Sequence, residues 1–464
     1  MKKTVVYTFT GILSPILMLV LLPIYLKFLT PTEYVVLALT NSFLVVFSIF
    51  FNLKTEQAYR TIFFYENENK VKQLALFRTI FHFNVICTLV WLVLFLFFGK
   101  NLFDVLFKND MQFFPYSYLI FSSFLVGNLN NLFFIYLQNN SKVKAYSLFS
   151  IVLALATHGL QLCCVFVFHT SFFGFLAAAL IVNLLVLSFI LFKNSTLFQF
   201  SISKKLLMES LRFSWPFLPF LVLYSIESQM DRFFIERFLT LSELARYAVL
   251  ISIIGATNTF FNAVDNAIRP DLYSNLSDKT FSNPNKIQEQ LDFYLWIGLV
   301  VFSFLIGFGF NIDWFLQNEK YVGLTTYFIP MVLAFFPLIG IRFMALILIY
   351  KQKVSKLNNV LLIKIIVMAG MFYLLIPIIG INGAILSIGI SNLLNLVIFY
   401  FMIENKLLPS KKVMAFIVGF IALNLFLLFK PQTKFVYLIA SGQCIVLGLL
   451  FVHFYRKKLK SILH

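Results

Sequence analysis

Residues 28–33 read Phe-Leu-Thr-Pro-Thr-Glu, and residues 238–243 read Phe-Leu-Thr-Leu-Ser-Glu, 210 positions further on. Three more matches keep nearly the same spacing. Phe50-Phe51-Asn52 returns as Phe260-Phe261-Asn262 at 210, and Asn183-Leu184-Leu185 returns as Asn392-Leu393-Leu394 at 209. Tyr136-x-Gln138-x-x-Ser141-Lys142 returns as Tyr350-x-Gln352-x-x-Ser355-Lys356 at 214. A single tripeptide match means little in so biased a composition. Four collinear matches at a nearly constant offset define an internal duplication.

The duplicated material is a set of membrane spans. Of 464 residues, 60% are hydrophobic and only 12% charged, with 61 Phe and a mean hydropathy of +0.89. A soluble domain of this length needs far more polar surface. Apolar stretches of roughly twenty residues, the length that crosses about 30 Å of hydrocarbon, fall at 5–28, 34–53, 77–98, 113–137, 144–168, 171–192, 211–234, 243–267, 290–310, 325–350, 358–378, 381–403, 412–429 and 435–455. The first follows Met1-Lys2-Lys3 as a signal peptide would. No small-residue cleavage site comes after it, so it reads as a retained span.

Spans one to six thus correspond to spans seven to twelve. Six is even, so the two halves share one orientation, a parallel repeat about the membrane normal. The expected fold is all-α: a polytopic transmembrane bundle of about 14 helices. It comprises two parallel six-helix lobes, 1–195 and 196–405, then two additional helices and a cytoplasmic tail in 406–464. Such duplications build two-lobed carriers that hold substrate between the lobes and rock to expose it on each side in turn.

The net charge of +18 does not point to nucleic acid, because the basic residues sit in short loops between spans. With the N-terminus placed in the cytoplasm, most of the 37 Lys and Arg fall on the cytoplasmic side. Clusters lie at Lys351/Lys353/Lys356, Lys406/Lys411/Lys412 and Arg456/Lys457/Lys458/Lys460. Both termini are then cytoplasmic by the positive-inside rule. The longest loops, near 54–76, 193–210 and 268–289, lie on that side, and 196–212 reads as an amphipathic surface helix.

Several chemistries are excluded. No Gly-x4-Gly-Lys-Ser/Thr run encodes a P-loop, and no His-Glu-x-x-His encodes a zinc site. The five histidines are scattered, and Cys87, Cys163, Cys164 and Cys444 lie in apolar runs as packing residues. No cofactor, no metal and no catalytic residue is expected, and the chain does not read as an enzyme. Energy then comes from ion gradients, the membrane potential or consumption of the product.

Polar residues inside spans become the site candidates. Span eight carries Asn258, Asn262, Asp265 and Arg269 at i, i+4, i+7 and i+11, one helical stripe. Span two carries Ser48, Asn52, Glu56 and Arg60 at i, i+4, i+8 and i+12, the equivalent stripe of the first half. Span seven carries Glu227, Asp231 and Arg232; the two acids share a face and call for water or a basic partner. Arg342 lies about nine residues, roughly 13 Å, inside span ten, too deep to snorkel easily. Lys364 is about six residues into span eleven, where snorkelling to the cytoplasm competes with a cavity role. Candidate cavity residues are therefore Asn52, Glu227, Asp231, Arg232, Asn258, Asn262, Asp265, Arg342 and Lys364. The competing reading for each is a wet helix end or a structural ion pair.

Three motifs carry a resemblance. Thr30-Pro31-Thr32-Glu33-Tyr34 follows span one, and Ser214-Trp215-Pro216-Phe217-Leu218-Pro219 opens span seven ahead of Asp231-Arg232. Leu375-Ile376-Pro377-Ile378-Ile379-Gly380-Ile381-Asn382-Gly383-Ala384 joins spans eleven and twelve. In this order the chain resembles the Wzx-type polysaccharide flippases of bacteria, within the multidrug/oligosaccharidyl-lipid/polysaccharide exporter (MATE/MOP-like) superfamily. It departs at Val35-Val36, where the family often has Gly.

The resemblance implies two six-helix lobes and transfer of undecaprenyl-pyrophosphate-linked glycan across the lipid bilayer, from inner to outer leaflet. It places the chain in the bacterial cytoplasmic membrane, serving O-antigen or capsule export beside a polysaccharide polymerase. A multidrug or small-solute antiporter coupled to H⁺ or Na⁺ through Asp231, Asp265 or Glu227 is the second reading. Lipid II remains open as cargo. A membrane polymerase or ligase is disfavoured by the lack of a long external loop.

Overall fold

A computed structural model describes residues 2–65, 70–108, 113–277, 284–351, 354–403, 407–428 and 434–463. Lys353 and Lys406 of the basic clusters and Gln352 of the repeat lie outside them, as do the side chains of Lys457, Lys458 and Lys460. The described residues form helices and contain no strand. Among the described residues, thirteen helical stretches are long and apolar enough to cross a membrane, and Ile16–Phe28 adds a shorter apolar one. Large apolar side chains face outward as well as inward: Phe97 is 75% exposed, Phe192 87% and Ile378 76%. Helices apolar on all sides suit lipid, not water.

Contacts divide the chain into two compact units, Lys2–Arg237 and Phe238–His464. The first holds α1 (Lys2–Phe28), α2 (Pro31–Asn52), α3 (Thr55–Tyr65), α4 (Lys70–Leu106), α5 (Tyr116–Asn139), α6 (Val143–Phe166), α7 (Phe172–Lys193), α8 (Lys204–Ser214) and most of α9 (Leu218–Phe238). Its core is aromatic: Phe95 stacks on Phe121 at 3.9 Å, and Tyr59, Phe77, Phe133 and Phe198 interlock. The amphipathic segment folds onto α3 and α4. Arg78 donates to the carbonyls of Leu197 and Thr196, and Ser214 Oγ donates to the Lys54 carbonyl.

The second unit holds α10 (Leu241–Ser277), α11 (Pro284–Gly309), α12 (Ile312–Leu316), α13 (Thr325–Phe335), α14 (Leu338–Tyr350), α15 (Val354–Ile379), α16 (Ile381–Met402), α17 (Lys411–Leu428) and α18 (Lys434–Leu463). Helices α15 and α16 meet through a turn that demands glycine. Gly380 has φ +60°, and a Cβ on Gly383 would strike the Leu375 carbonyl.

The duplicated hexapeptides build the same device in both units. Thr30 Oγ accepts from the Glu33 N–H, and the Glu33 carboxylate accepts from the Thr30 N–H at 2.8 Å. Thr240 and Glu243 repeat this reciprocal pair at 3.3 and 3.1 Å. Each is a capping box that opens a span.

Three expectations from sequence need correction. Helix α4 starts at Lys70 and ends at Leu106, well beyond 77–98, and the expected 54–76 loop contains α3. Helix α10 runs on to Ser277, which shortens the expected 268–289 loop. Span ten keeps its expected bounds, Thr325–Tyr350, but is kinked at Phe336-Pro337, where proline has no N–H to continue the ladder. The stripe Ser48–Asn52–Glu56–Arg60 is broken. Leu53 and Lys54 both have positive φ, and α3 begins at Thr55.

Candidate functional site

The intact stripe is the one on α10. The helix does not pause at Asn262, so Asn258, Asn262 and Asp265 stay on one face. Arg342 enters from α14, one turn past the Pro337 kink. Its Nη2 donates to Asn262 Oδ1 at 2.5 Å and to Asp265 Oδ2 at 2.7 Å, while Nη1 reaches Asn258 Oδ1 at 3.4 Å. The other Asp265 oxygen accepts from Tyr294 Oη, on α11, at 2.5 Å. Two helices, α10 and α11, thus aim four hydrogen-bonding side chains at or through one guanidinium carried by a third, α14.

The pair is mostly out of solvent, with side-chain exposures of 19% for Arg342 and 11% for Asp265. A partly buried ion pair is costly to desolvate and is kept in place by its extra hydrogen bonds. The neutral amides leave the cluster with one positive and one negative charge. Arg342 is therefore a braced cation that an incoming anion could share with Asp265.

The remaining candidates lie elsewhere. Asn52 is 7% exposed and serves the α2–α3 turn: its Oδ1 accepts from the Lys54 N–H and its Nδ2 donates to Glu56. On α9, Asp231 is buried and accepts from the Arg232 N–H at 2.8 Å; the Arg232 guanidinium lies 3.8 Å from it and also donates to Gln229. Glu227 is half-buried one turn earlier. Lys364 is only 3% exposed, so it is enclosed by protein rather than snorkelling along a lipid-facing surface.

Sequence reasoning missed Tyr294, one of 20 tyrosines in an apolar run. Its one sequence signal is a phenol inside a span, which needs a hydrogen-bond partner when buried. Glu236 was missed too. It is 4% exposed and accepts from the Lys108 N–H at 2.8 Å, closing the end of α4.

A family model described as polysaccharide biosynthesis protein matches residues 1–270. The chain belongs to that family. Comparison with curated proteins gives no match. Among solved structures, the chain is similar to lipid II flippase MurJ in an inward closed conformation: TM-score 0.67, 14% identity, covering 98% of this chain and 100% of that one. It is similar also to an inward-facing multidrug resistance MATE family transporter of the MOP superfamily: TM-score 0.65, 13% identity, 90% and 96% covered. A Vibrio cholerae MATE transporter gives TM-score 0.63 at 11% identity, with 86% and 95% covered. The shared feature at these identities is the fold.

Proposed function

We propose that this member of the polysaccharide biosynthesis family flips a prenyl-pyrophosphate-linked oligosaccharide from the cytoplasmic to the outer leaflet. It would do so in a bacterial cytoplasmic membrane, with both termini cytoplasmic and two six-helix repeats followed by two added helices. The observation that carries the reading is Arg342. A guanidinium about nine residues inside a span, braced by Asp265, Asn258 and Asn262, is a ready partner for phosphate oxygens. Asp265 holds the cation when cargo is absent and gives up part of it when the pyrophosphate arrives. Lys364, Arg232, Asp231, Glu227 and Asn52 are further cavity candidates. The fold shared with a flippase of another lipid-linked saccharide supports this choice. A polysaccharide polymerase would take the product on the outer face.

A membrane potential that is negative inside favours outward movement of the phosphate charge, by about 2.3 kcal/mol per elementary charge per 100 mV. The test is flipping of a fluorescent prenyl-pyrophosphate-linked oligosaccharide in proteoliposomes, with and without an imposed potential. Flipping that disappears in Arg342→Gln is the expected result. Undiminished flipping by that variant would remove Arg342 from the mechanism.

The MATE-like fold keeps a second reading: cation-coupled export of small solutes, with Asp265, Asp231 or Glu227 as the coupling group. It requires drug efflux driven by Na⁺ or H⁺ and normal surface polysaccharide in a deletion strain. Loss of surface polysaccharide, with the lipid-linked intermediate held on the cytoplasmic face, excludes it.

A further inference from the structure

We infer that the first unit contains a second ligand site, distinct from the Arg342 cluster, built for a neutral, hydroxyl-rich group such as a pyranose ring. A cavity of about 590 Å³ lies inside Lys2–Arg237, framed by α1, α2, α5, α6 and α7. That volume is within the range of small-molecule sites. Among the described residues, no Asp, Glu, Lys or Arg lines it. Their polar lining consists of amides, hydroxyls and one imidazole.

Much of that polarity is unspent. The side chains of Asn41, Asn128, Ser150 and Thr157 face the cavity, and none makes a side-chain hydrogen bond among the described residues. His158 and Gln161 are held from behind: Tyr25 Oη lies 2.9 Å from His158 Nδ1 and donates to Gln161 Oε1 at 3.2 Å. The remaining wall is apolar and includes the rings of Phe124 and Phe175.

This lining selects a ligand class by exclusion. A phosphate or a metal cation would enter with no counter-charge, a costly desolvation. A hydrocarbon would leave the amides and hydroxyls unpaired. A sugar ring has hydroxyls that donate and accept, and a C–H face that rests on aromatic rings. Amides and hydroxyls also donate and accept, so they match it group for group.

The duplication sharpens the contrast. Asn128 and Arg342 stand 214 positions apart, the offset of the Tyr136–Tyr350 match. Equivalent positions thus carry a neutral amide in one half and a braced guanidinium in the other. One half is equipped for an anion, the other for uncharged hydroxyls. The ring could come from a free sugar or from the glycan of a lipid-linked cargo; only the latter source rests on the flippase reading.

The test uses the full chain in nanodiscs, with Cys87, Cys163, Cys164 and Cys444 replaced by alanine. Ser150→Cys and Thr157→Cys are introduced singly and alkylated with N-ethylmaleimide. Ser195→Cys, in the exposed turn just after α7, is the control. Methyl glucoside, N-acetylglucosamine and a short neutral oligosaccharide should slow labelling at least three-fold at both cavity positions and leave the control unchanged. Glucuronate and glucose 6-phosphate should have no effect. Two cavity positions guard against one variant that fails to fold, each being checked by size-exclusion profile. Absence of slowing by every neutral sugar at both positions, as expected of a cavity holding only water, overturns the inference. So does equal slowing by the charged sugars.

Two further arms separate the sources and the two readings. Uptake of free radiolabelled sugar into proteoliposomes assigns the site to solutes. Slowing by the oligosaccharide without any such uptake assigns it to the glycan of the cargo. A parent chain that flips lipid-linked oligosaccharide but shows no sugar protection loses only this site. One that shows protection but does not flip retains the site and loses the flippase reading.

Discussion

Arg342 Nη2 lies 2.7 Å from Asp265 Oδ2, joining α14 to α10 through a pair that is largely shielded from solvent. The first prediction separates what this pair does for the fold from what it does for transport. Arg342→Ala leaves Asp265 with Tyr294 alone and should cost about 3 kcal/mol, as breaking such pairs typically does. The double variant Arg342→Met with Asp265→Leu removes both charges and should recover most of that loss. Thermal unfolding in detergent reads the stability. Flipping should remain absent in both. A double variant that regains transport along with stability would show the pair to be structural only.

Tyr294→Phe tests the brace from α11. It removes one hydrogen bond to Asp265 and keeps the ring's contacts with Phe261 and Phe343. A loss of about 1.5–3 kcal/mol is expected for a bond to a charged group. Transport should fall several-fold without vanishing, because Arg342 still holds Asp265. Transient kinetics of flipping, compared with Arg342→Gln, would show whether the two act through one cluster.

Gly380→Ala should cost about 1–2 kcal/mol. The φ of +60° lies in the left-handed region, where a Cβ is strained. Gly370→Ala, in a helical part of α15 with open space around it, should be neutral or mildly stabilising. Melting temperatures of the two variants measured side by side make the comparison internal.

Much of this architecture is legible in the chain because a bilayer imposes a length on each apolar run. The repeat gives the two capping boxes, Thr30–Glu33 and Thr240–Glu243, their equivalent places. Residues equivalent in sequence can still part company. Asn52 folds its Oδ1 back onto the Lys54 N–H, and α2 stops. Asn262 gives its Oδ1 to Arg342, and α10 runs on. The difference lies with a partner 80 residues away, which no local pattern reveals. Arg342 stood out by its depth in a span. Its acceptors on α10 appeared as a stripe, but their convergence on it did not. Tyr294 was hidden by composition.

Helices α17 and α18 also bear on this cluster, and they supply the last prediction. Helix α11 carries Tyr294, and α18 lies against α11 so closely that a Cβ on Gly307 would come within 3.3 Å of the Ala440 carbonyl. Trp296 of α11 is 3% exposed, wedged against Phe416 of α17 and Phe454 of α18. Asn424 and Gln443 exchange reciprocal amide hydrogen bonds at 3.3 Å, tying α17 to α18. The Asp292 carboxylate accepts from the Ser410 N–H at 2.9 Å, just ahead of α17. A small residue at a close helix crossing is how membrane helices pack without a hydrophobic drive. Gly307→Leu should therefore force α18 away from α11 and cost about 1–3 kcal/mol by overpacking. Because Trp296 and Tyr294 share α11, the displacement should loosen the bond to Asp265 and lower flipping as well. Asn424→Leu paired with Gln443→Leu leaves Gly307 and the close crossing intact, and should cost less stability and leave transport near the parent rate. Equal loss of transport in both variants would mean that α17 and α18 act beyond holding α11 in place.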